Sequence, residues 1–272
     1  MSFIGIMQGR LSPRPFPRLQ AFPWASWEQE FWLAKECKLD SIEWLFESEK
    51  YQENPVWSLE GRAKIASLVK QTGVSVQTLC ADYFMDHPFF RVPDQERRAS
   101  IEILQELIEK ASKIGIKAIL IPVLEVSEIR SIEDRDCLVL ALGECVQQAK
   151  EFNVKLGLET ELPGQEYFNL IRSFNSDYIG AYYDAGNTAY CGFNMREDME
   201  ILKEVLVGVH IKDRKKGGES VPIGTGDANF LEGIPFLKKQ GFRGGFILQH
   251  YFEEDQIEAA KQSLKFVNTL MA

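Results

Sequence analysis

The sequence predicts an α/β fold, a single (β/α)8 TIM barrel occupying residues 1–272 as one domain. Two observations carry this. Short apolar runs alternate with longer amphipathic ones through eight cycles, which builds right-handed βαβ units on a parallel sheet. Several strand glycines also share the parity of the polar residues that end those strands, as a narrow barrel interior requires. A length of 272 residues suits one closed barrel.

The expected strands are residues 3–7, 40–45, 74–79, 118–123, 155–159, 179–184, 207–211 and 245–249. Between them, helical periodicity covers 27–37, 58–71, 94–114, 132–152, 165–174, 196–202, 230–240 and 255–270. Gly73, Gly115 and Gly241 stand where a left-handed residue ends a helix. Asp94, with Glu96 behind it, reads as an N-cap. The long loops follow Arg10, Asp82 and Asp213, at the face where a barrel carries its chemistry. An open doubly wound sheet is the competing arrangement. Gly157, Gly180, Gly208 and Gly245 face the same side as Glu159, Asp184, His210 and Gln249, and no GxGxxG or GxxxxGK[ST] follows the first strand, so the barrel is preferred.

A formal charge of −9 argues against a nucleic-acid partner, while leaving room for a local basic pocket that takes one small anion. Five scattered cysteines without a CxxC pair suggest reduced thiols and a cytoplasmic location. The N-terminal run reads as a first strand and not as a signal peptide. No apolar run is long enough to span a bilayer, so no membrane partner is expected.

Four strand-like runs in the C-terminal half end on Glu159, Asp184, His210 and Gln249. Two carboxylates and an imidazole gathered from successive strand ends suit Mg, Mn, Fe, Co or Zn. Gln249 is the anomaly, because an amide lends an oxygen to a metal but does not accept a proton as a carboxylate does. Each residue also has a plainer role: Glu159 as a surface or capping acid, Asp184 in an Asx turn, His210 as a hydrogen-bonded core residue. His250 has the opposite parity and is expected to face away from the cavity.

The runs Phe3-Ile-Gly-Ile-Met-Gln-Gly-Arg-Leu-Ser12, Ser41-Ile-Glu-Trp44, Leu158-Glu159, Asp184-Ala-Gly-Asn187, His210-Ile-Lys-Asp213, Pro222-Ile-Gly-Thr-Gly226 and Gly241-Phe-Arg-Gly244 resemble the xylose-isomerase-like barrels. Within them they resemble the sugar phosphate isomerase/epimerase branch, typified by L-ribulose-5-phosphate 3-epimerase and hexulose-6-phosphate isomerase. The resemblance runs along nearly the whole chain. It implies one divalent metal ion (Mn, Zn, Co or Mg) held by Glu159, Asp184, His210 and the residue at position 249, and a small sugar or sugar phosphate as substrate. It further implies proton transfer through an enediol(ate), with glutamates on opposite faces of the substrate. This chain keeps Glu159 as base and has Gln249 where the family has the second glutamate. Replacing that charge by an amide makes the site neutral with a divalent ion, which favours a stronger Lewis acid held less tightly. Aldose–ketose isomerisation on one face is then easier to support than C3 epimerisation.

Arg10, Glu43, Lys212, Asp213, Gly224 and Gly226 are the candidate substrate-binding residues. Glu43 is placed to bond a sugar hydroxyl or orient Arg10, and Asp213 to support the ligand set or pair with Lys212. Lys212, Arg214 and the backbone of 224–226 form the best cradle for an anionic end. Trp44, Phe84 and Phe89 are candidates to stack on a sugar, with a core role as the plainer reading. Three histidines are too few for a trinuclear zinc endonuclease of the same superfamily. A non-catalytic sugar-binding barrel, or a metal-dependent dehydratase or lyase, are the remaining alternatives. A homo-oligomer is compatible with all of them.

Overall fold

The structure, a computed structural model, describes residues 2–13 and 20–272. Eight parallel strands close on themselves in the order β1-β8-β7-β6-β5-β4-β3-β2. They are β1 (Phe3–Met7), β2 (Ser41–Leu45), β3 (Ser75–Cys80), β4 (Ala118–Val123), β5 (Lys155–Thr160), β6 (Ile179–Asp184), β7 (Leu206–Ile211) and β8 (Gly245–Leu248). The barrel expectation is met, and the open sheet is not. Helices Trp27–Glu36, Leu59–Thr72, Asp94–Ser112, Ile132–Gly143 with Val146–Phe152, Gly164–Ser173, Met195–Leu202, Phe230–Lys239 and Gln256–Met271 follow the strands in turn.

Gly73, Gly115 and Gly241 all take positive φ, of 78°, 98° and 73°, as their helix-ending positions require. Asp94 is not a cap: Pro93 occupies the cap position, and Asp94 is the first helical residue, where only its charge assists. The segment expected as one helix over 132–152 is two. Beyond Gly143 the Cys145 N–H donates to Leu142 O, an i to i−3 bond that tightens and breaks the ladder.

Barrel closure explains the interior glycines. The Tyr182 ring lies across the lumen, and a Cβ on Gly157 or Gly208 would come within 2.9 and 2.5 Å of it. Only glycine at both positions leaves room for this ring, whose hydroxyl reaches Glu43 on the far side. Three pieces of structure not expected from the sequence follow β3, β6 and β7: a short helix Tyr83–Asp86, the helix Ala185–Cys191 and an antiparallel pair, Asp213–Arg214 with Ser220–Val221. Together they build the C-terminal mouth.

The loop after β1 is held by Glu30, a buried residue of the first helix. Its carboxylate accepts the N–H groups of Gly9 and Leu11 and the hydroxyl of Ser12. Burial drives this carboxyl from 4.5 up to about 7, against the pull of those donors. Arg10 is thereby fixed at the mouth. Among the described residues no helix is long and apolar enough to cross a membrane.

Candidate active site

A cavity of about 510 Å³ opens at the C-terminal ends of the strands, with Arg10, Asp82, Glu159, His210, Lys212 and Gln249 on its wall. A depression of similar size at the opposite end, beside Lys117, Lys155 and Arg243, has no carboxylate or imidazole on its wall. The buried cluster of two carboxylates and an imidazole lies at the C-terminal mouth, where barrel enzymes place their chemistry.

Strand register assembles the cluster. Asp184 on β6 lies beside His210 on β7, and Gln249, one residue past β8, stays in register because its N–H donates to Ile211 O at 3.0 Å. Ligand atoms of Glu159, Asp184 and His210 all lie within 4.8 Å of one another, and all three residues are buried. Asp184 has both roles open to it. Its Oδ1 caps the helix Ala185–Cys191 by accepting the Asn187 N–H at 2.8 Å, while Oδ2 sits 3.2 Å from Lys212 Nζ and 3.7 Å from His210 Nδ1. Asn187 then donates its side-chain amide to Glu159 Oε1 at 2.8 Å, so one residue braces both acids. Asn187 was not singled out from sequence. The available signal was its spacing, three residues after a strand-end Asp.

His210 Nε2 is 2.5 Å from Glu43 Oε1, and Tyr182 donates its hydroxyl to Glu43 Oε2. Glu43 is fully buried behind the imidazole, away from the cavity wall. Its expected contact with substrate or Arg10 is therefore not what the structure shows. It orients the histidine, a partner that ligating imidazoles commonly have. The other ring nitrogen, Nδ1, has no hydrogen-bond partner among the described residues, and neither does Gln249 Oε1. Buried polar atoms are rarely left so.

Electrostatics separate the two acids. Burial, reinforced by the negative charge of Asp184, raises the Glu159 carboxyl from 4.5 to about 8, although His210 and Lys212 oppose it. Burial would also raise Asp184, but the Lys212 ammonium, His210 and the Asn187 N–H outweigh it and hold that carboxyl well below the usual range. His210 is raised from 6.5 to about 10: burial disfavours its charge, and Glu43, Asp184 and Glu159 more than restore it. Ligation through Nδ1 therefore requires loss of a proton. Two acids, the His210 Nδ1 and the Gln249 amide oxygen, the last two without a hydrogen-bond partner among the described residues, fit a single divalent cation.

The remaining candidates divide. Lys212 and Arg10 line the cavity; Arg10 donates to His250 O at 3.1 Å and lies 4.3 Å over the Phe252 ring. Arg214, also on the wall, spends its guanidinium on Gly218 O and stacks 4.1 Å over Tyr190. Asp213, Gly224 and Gly226 form a closed unit instead of a substrate cradle. Asp213 Oδ2 accepts the N–H groups of Gly224 and Gly226 at 2.9 and 2.8 Å, and Oδ1 accepts Ala228 N–H at 3.1 Å. A Cβ at 226 would fall 2.0 Å from that carboxylate, which explains the glycine. Asp213→Ala is expected to lower stability by about 2–3 kcal/mol, since three part-buried donors lose a charged acceptor. Urea unfolding of wild type and variant measures it.

His250 is on the cavity wall, against the expectation that it faces away, while its ring Nε2 lies 3.3 Å from Gln256 Oε1 at the start of the last helix. Trp44, Phe84 and Phe89 are core residues absent from the cavity wall. Tyr251 and Phe252 supply its aromatic surface. Asp82 and Gln20, also on the wall, were not singled out from sequence.

Residues 31–270 match the family model described as xylose isomerase-like TIM barrel. The chain belongs to that family. L-ribulose-5-phosphate 3-epimerase UlaE from Salmonella heidelberg (strain SL476) is similar, 26% identical over 243 residues that cover 86% of both chains. Among solved structures, L-ribulose 3-epimerase superposes with a TM-score of 0.80 at 16% identity, covering 100% of this chain and 95% of that one. The apo form of 3-keto-D-glucoside 4-epimerase YcjR from E. coli gives 0.77 at 19% identity, covering 99% and 100%.

Proposed function

We propose that the protein is a metal-dependent isomerase or epimerase of a small sugar or sugar phosphate, working through an enediol(ate) with Glu159 as base. The observation that carries this is the convergence of Glu159, Asp184 and His210 at the cavity, with His210 Nδ1 and Gln249 Oε1 buried and lacking a partner among the described residues. The names of similar proteins, a ribulose-phosphate 3-epimerase and a keto-glucoside 4-epimerase, support the sugar class.

Glu159, Asp184 and His210 would hold the cation, with Gln249 contributing an amide oxygen. When bound, a divalent cation supplies positive charge to a substrate oxygen on which negative charge develops, and it favours the ionised form of Glu159. Glu159 takes the proton from carbon, and Asn187 keeps its free oxygen turned toward the substrate by holding Oε1. Asp184 stays ionised beside Lys212 and therefore acts as a ligand, not as a proton carrier. Glu43 fixes the imidazole. Gln249 cannot accept a proton, so the chemistry favoured is transfer on one face, between adjacent carbons.

Lys212 and Arg10 are cations on a wall that also carries Asp82, Glu125 and Glu159, and they are the groups that would meet an oxygen-rich or anionic substrate end. The N–H groups of Gly224 and Gly226 are taken by Asp213, so an anionic end would rely on side chains. Incubation of ketopentoses, ketohexoses and their phosphates in deuterated water with Mn is expected to place label on one carbon adjacent to the carbonyl. Chelation is expected to stop it. No exchange in any sugar, with metal bound, would sink the catalytic reading in favour of a sugar binder.

A further inference from the structure

Three polar side chains from distant parts of the chain form one hydrogen-bonded line along the cavity wall. Gln249 Nε2 donates to Gln20 Oε1 at 3.0 Å, and Gln20 Nε2 donates to Asp82 Oδ2 at 2.7 Å. Asp82 Oδ1 receives the Cys80 thiol at 3.1 Å, so both of its oxygens face donors. All three members of the line share their cavity with Glu159 and His210.

The direction of this line is set at one end. A carboxylate accepts and does not donate, so the Gln20 amide must turn its NH2 toward Asp82 and its oxygen away. That oxygen can receive only an N–H, so the Gln249 amide turns its own NH2 toward Gln20. Its carbonyl oxygen is left on the opposite edge of the amide group, buried and without a donor among the described residues. A free amide offers oxygen or NH2 with nearly equal ease, and an NH2 aimed at a cation is repelled. A carboxylate at the same position would need no such control, because both of its ends are oxygen.

We propose that Gln20 and Asp82 are positioning residues that turn the Gln249 carbonyl oxygen toward the metal site. This rests on the metal reading above. It gives a reason why an amide can serve where charge is missing: its oxygen is presented in advance, without a search between two orientations.

The test is calorimetric titration of Mn into chelator-treated full-length protein, without substrate. Gln20→Leu is expected to weaken Mn binding roughly tenfold, the usual order for losing a partner of a ligand. Asp82→Asn, which keeps the shape and removes the fixed sign, is expected to do the same to a lesser degree. In a Gln249→Glu background, Gln20→Leu is expected to change affinity less than about twofold, because the orientation no longer matters; the double-mutant comparison isolates that coupling. Near-UV circular dichroism identifies any variant that has lost its fold, and Asp82→Asn then carries the comparison. Equal Mn affinity in wild type and Gln20→Leu, or an equal loss in both backgrounds, overturns the positioning role alone. No Mn binding by wild type overturns the metal reading, and this inference with it.

Discussion

Glu159→Gln is expected to reduce turnover by roughly 10²–10⁴-fold, the range associated with removing a positioned base. The replacement keeps the side-chain shape and an oxygen for Asn187 Nδ2, which sits 2.8 Å from Glu159 Oε1. Proton acceptance is what disappears. One negative charge beside the cation is also lost, so rates must be compared at saturating Mn, and binding measured separately. With metal bound and turnover lost, solvent deuterium should no longer enter substrate. Exchange that persists at the wild-type rate would assign the base to another group on the cavity wall, with Asp82 the first to test.

Gln249→Glu is the second large effect, and here the expected direction is a gain. A carboxylate adds one negative charge to a cluster that already includes Glu159, Asp184 and His210. Mn binding should tighten by about ten- to a hundredfold, as adding a charged ligand in a buried site implies. The variant also acquires a proton acceptor on the wall served by β8, across from β5 and Glu159. Label should then appear at C3 of a ketopentose or its phosphate, where the wild-type enzyme leaves C3 unlabelled. Proton NMR after incubation in deuterated water distinguishes C1 from C3. Wild-type labelling at C3 would mean that a second base already exists, and that the amide at 249 is no barrier to epimerisation.

The two substitutions address different links in one argument. Glu159 is made reluctant to ionise by burial and by Asp184, and a bound cation would reverse that. Gln249 has no ionisation to tune, so its contribution depends on orientation alone. The first residue is governed by charge at the site and the second by a hydrogen-bonded line that reaches Gln20 and Asp82.

Much of this was legible in the linear chain. Eight alternations of apolar run and amphipathic segment point to a parallel sheet, and the shared parity of Gly157, Gly180, Gly208 and Gly245 favours closure; that Gly157 and Gly208 make room for Tyr182 is seen only in the structure. The cluster of carboxylates and imidazole was legible for a related reason. Strands alternate sides with a period of two, so residues that end successive strands on the inward side must converge once the sheet is closed. Glu159, Asp184 and His210 followed from that rule, whatever the loops did.

Tertiary structure alone decided the partners. Glu43 shares the parity of Ser41 and faces inward, as a substrate ligand would, but it lies in the middle of β2, deep enough in the lumen that His210 and Tyr182 reach it. Asp213 follows His210 by three residues, but a hairpin turns its carboxylate onto the N–H groups of Gly224, Gly226 and Ala228. A GxG spacing reports backbone freedom, not which acceptor the freed N–H groups will meet. Gln20 and Gln249 are 229 positions apart, and their bond depends on where the two side chains lie in space. Periodicity sets which side of an element a residue faces; loops and closure set whom it meets, because those contacts depend on distances in space that no local spacing encodes.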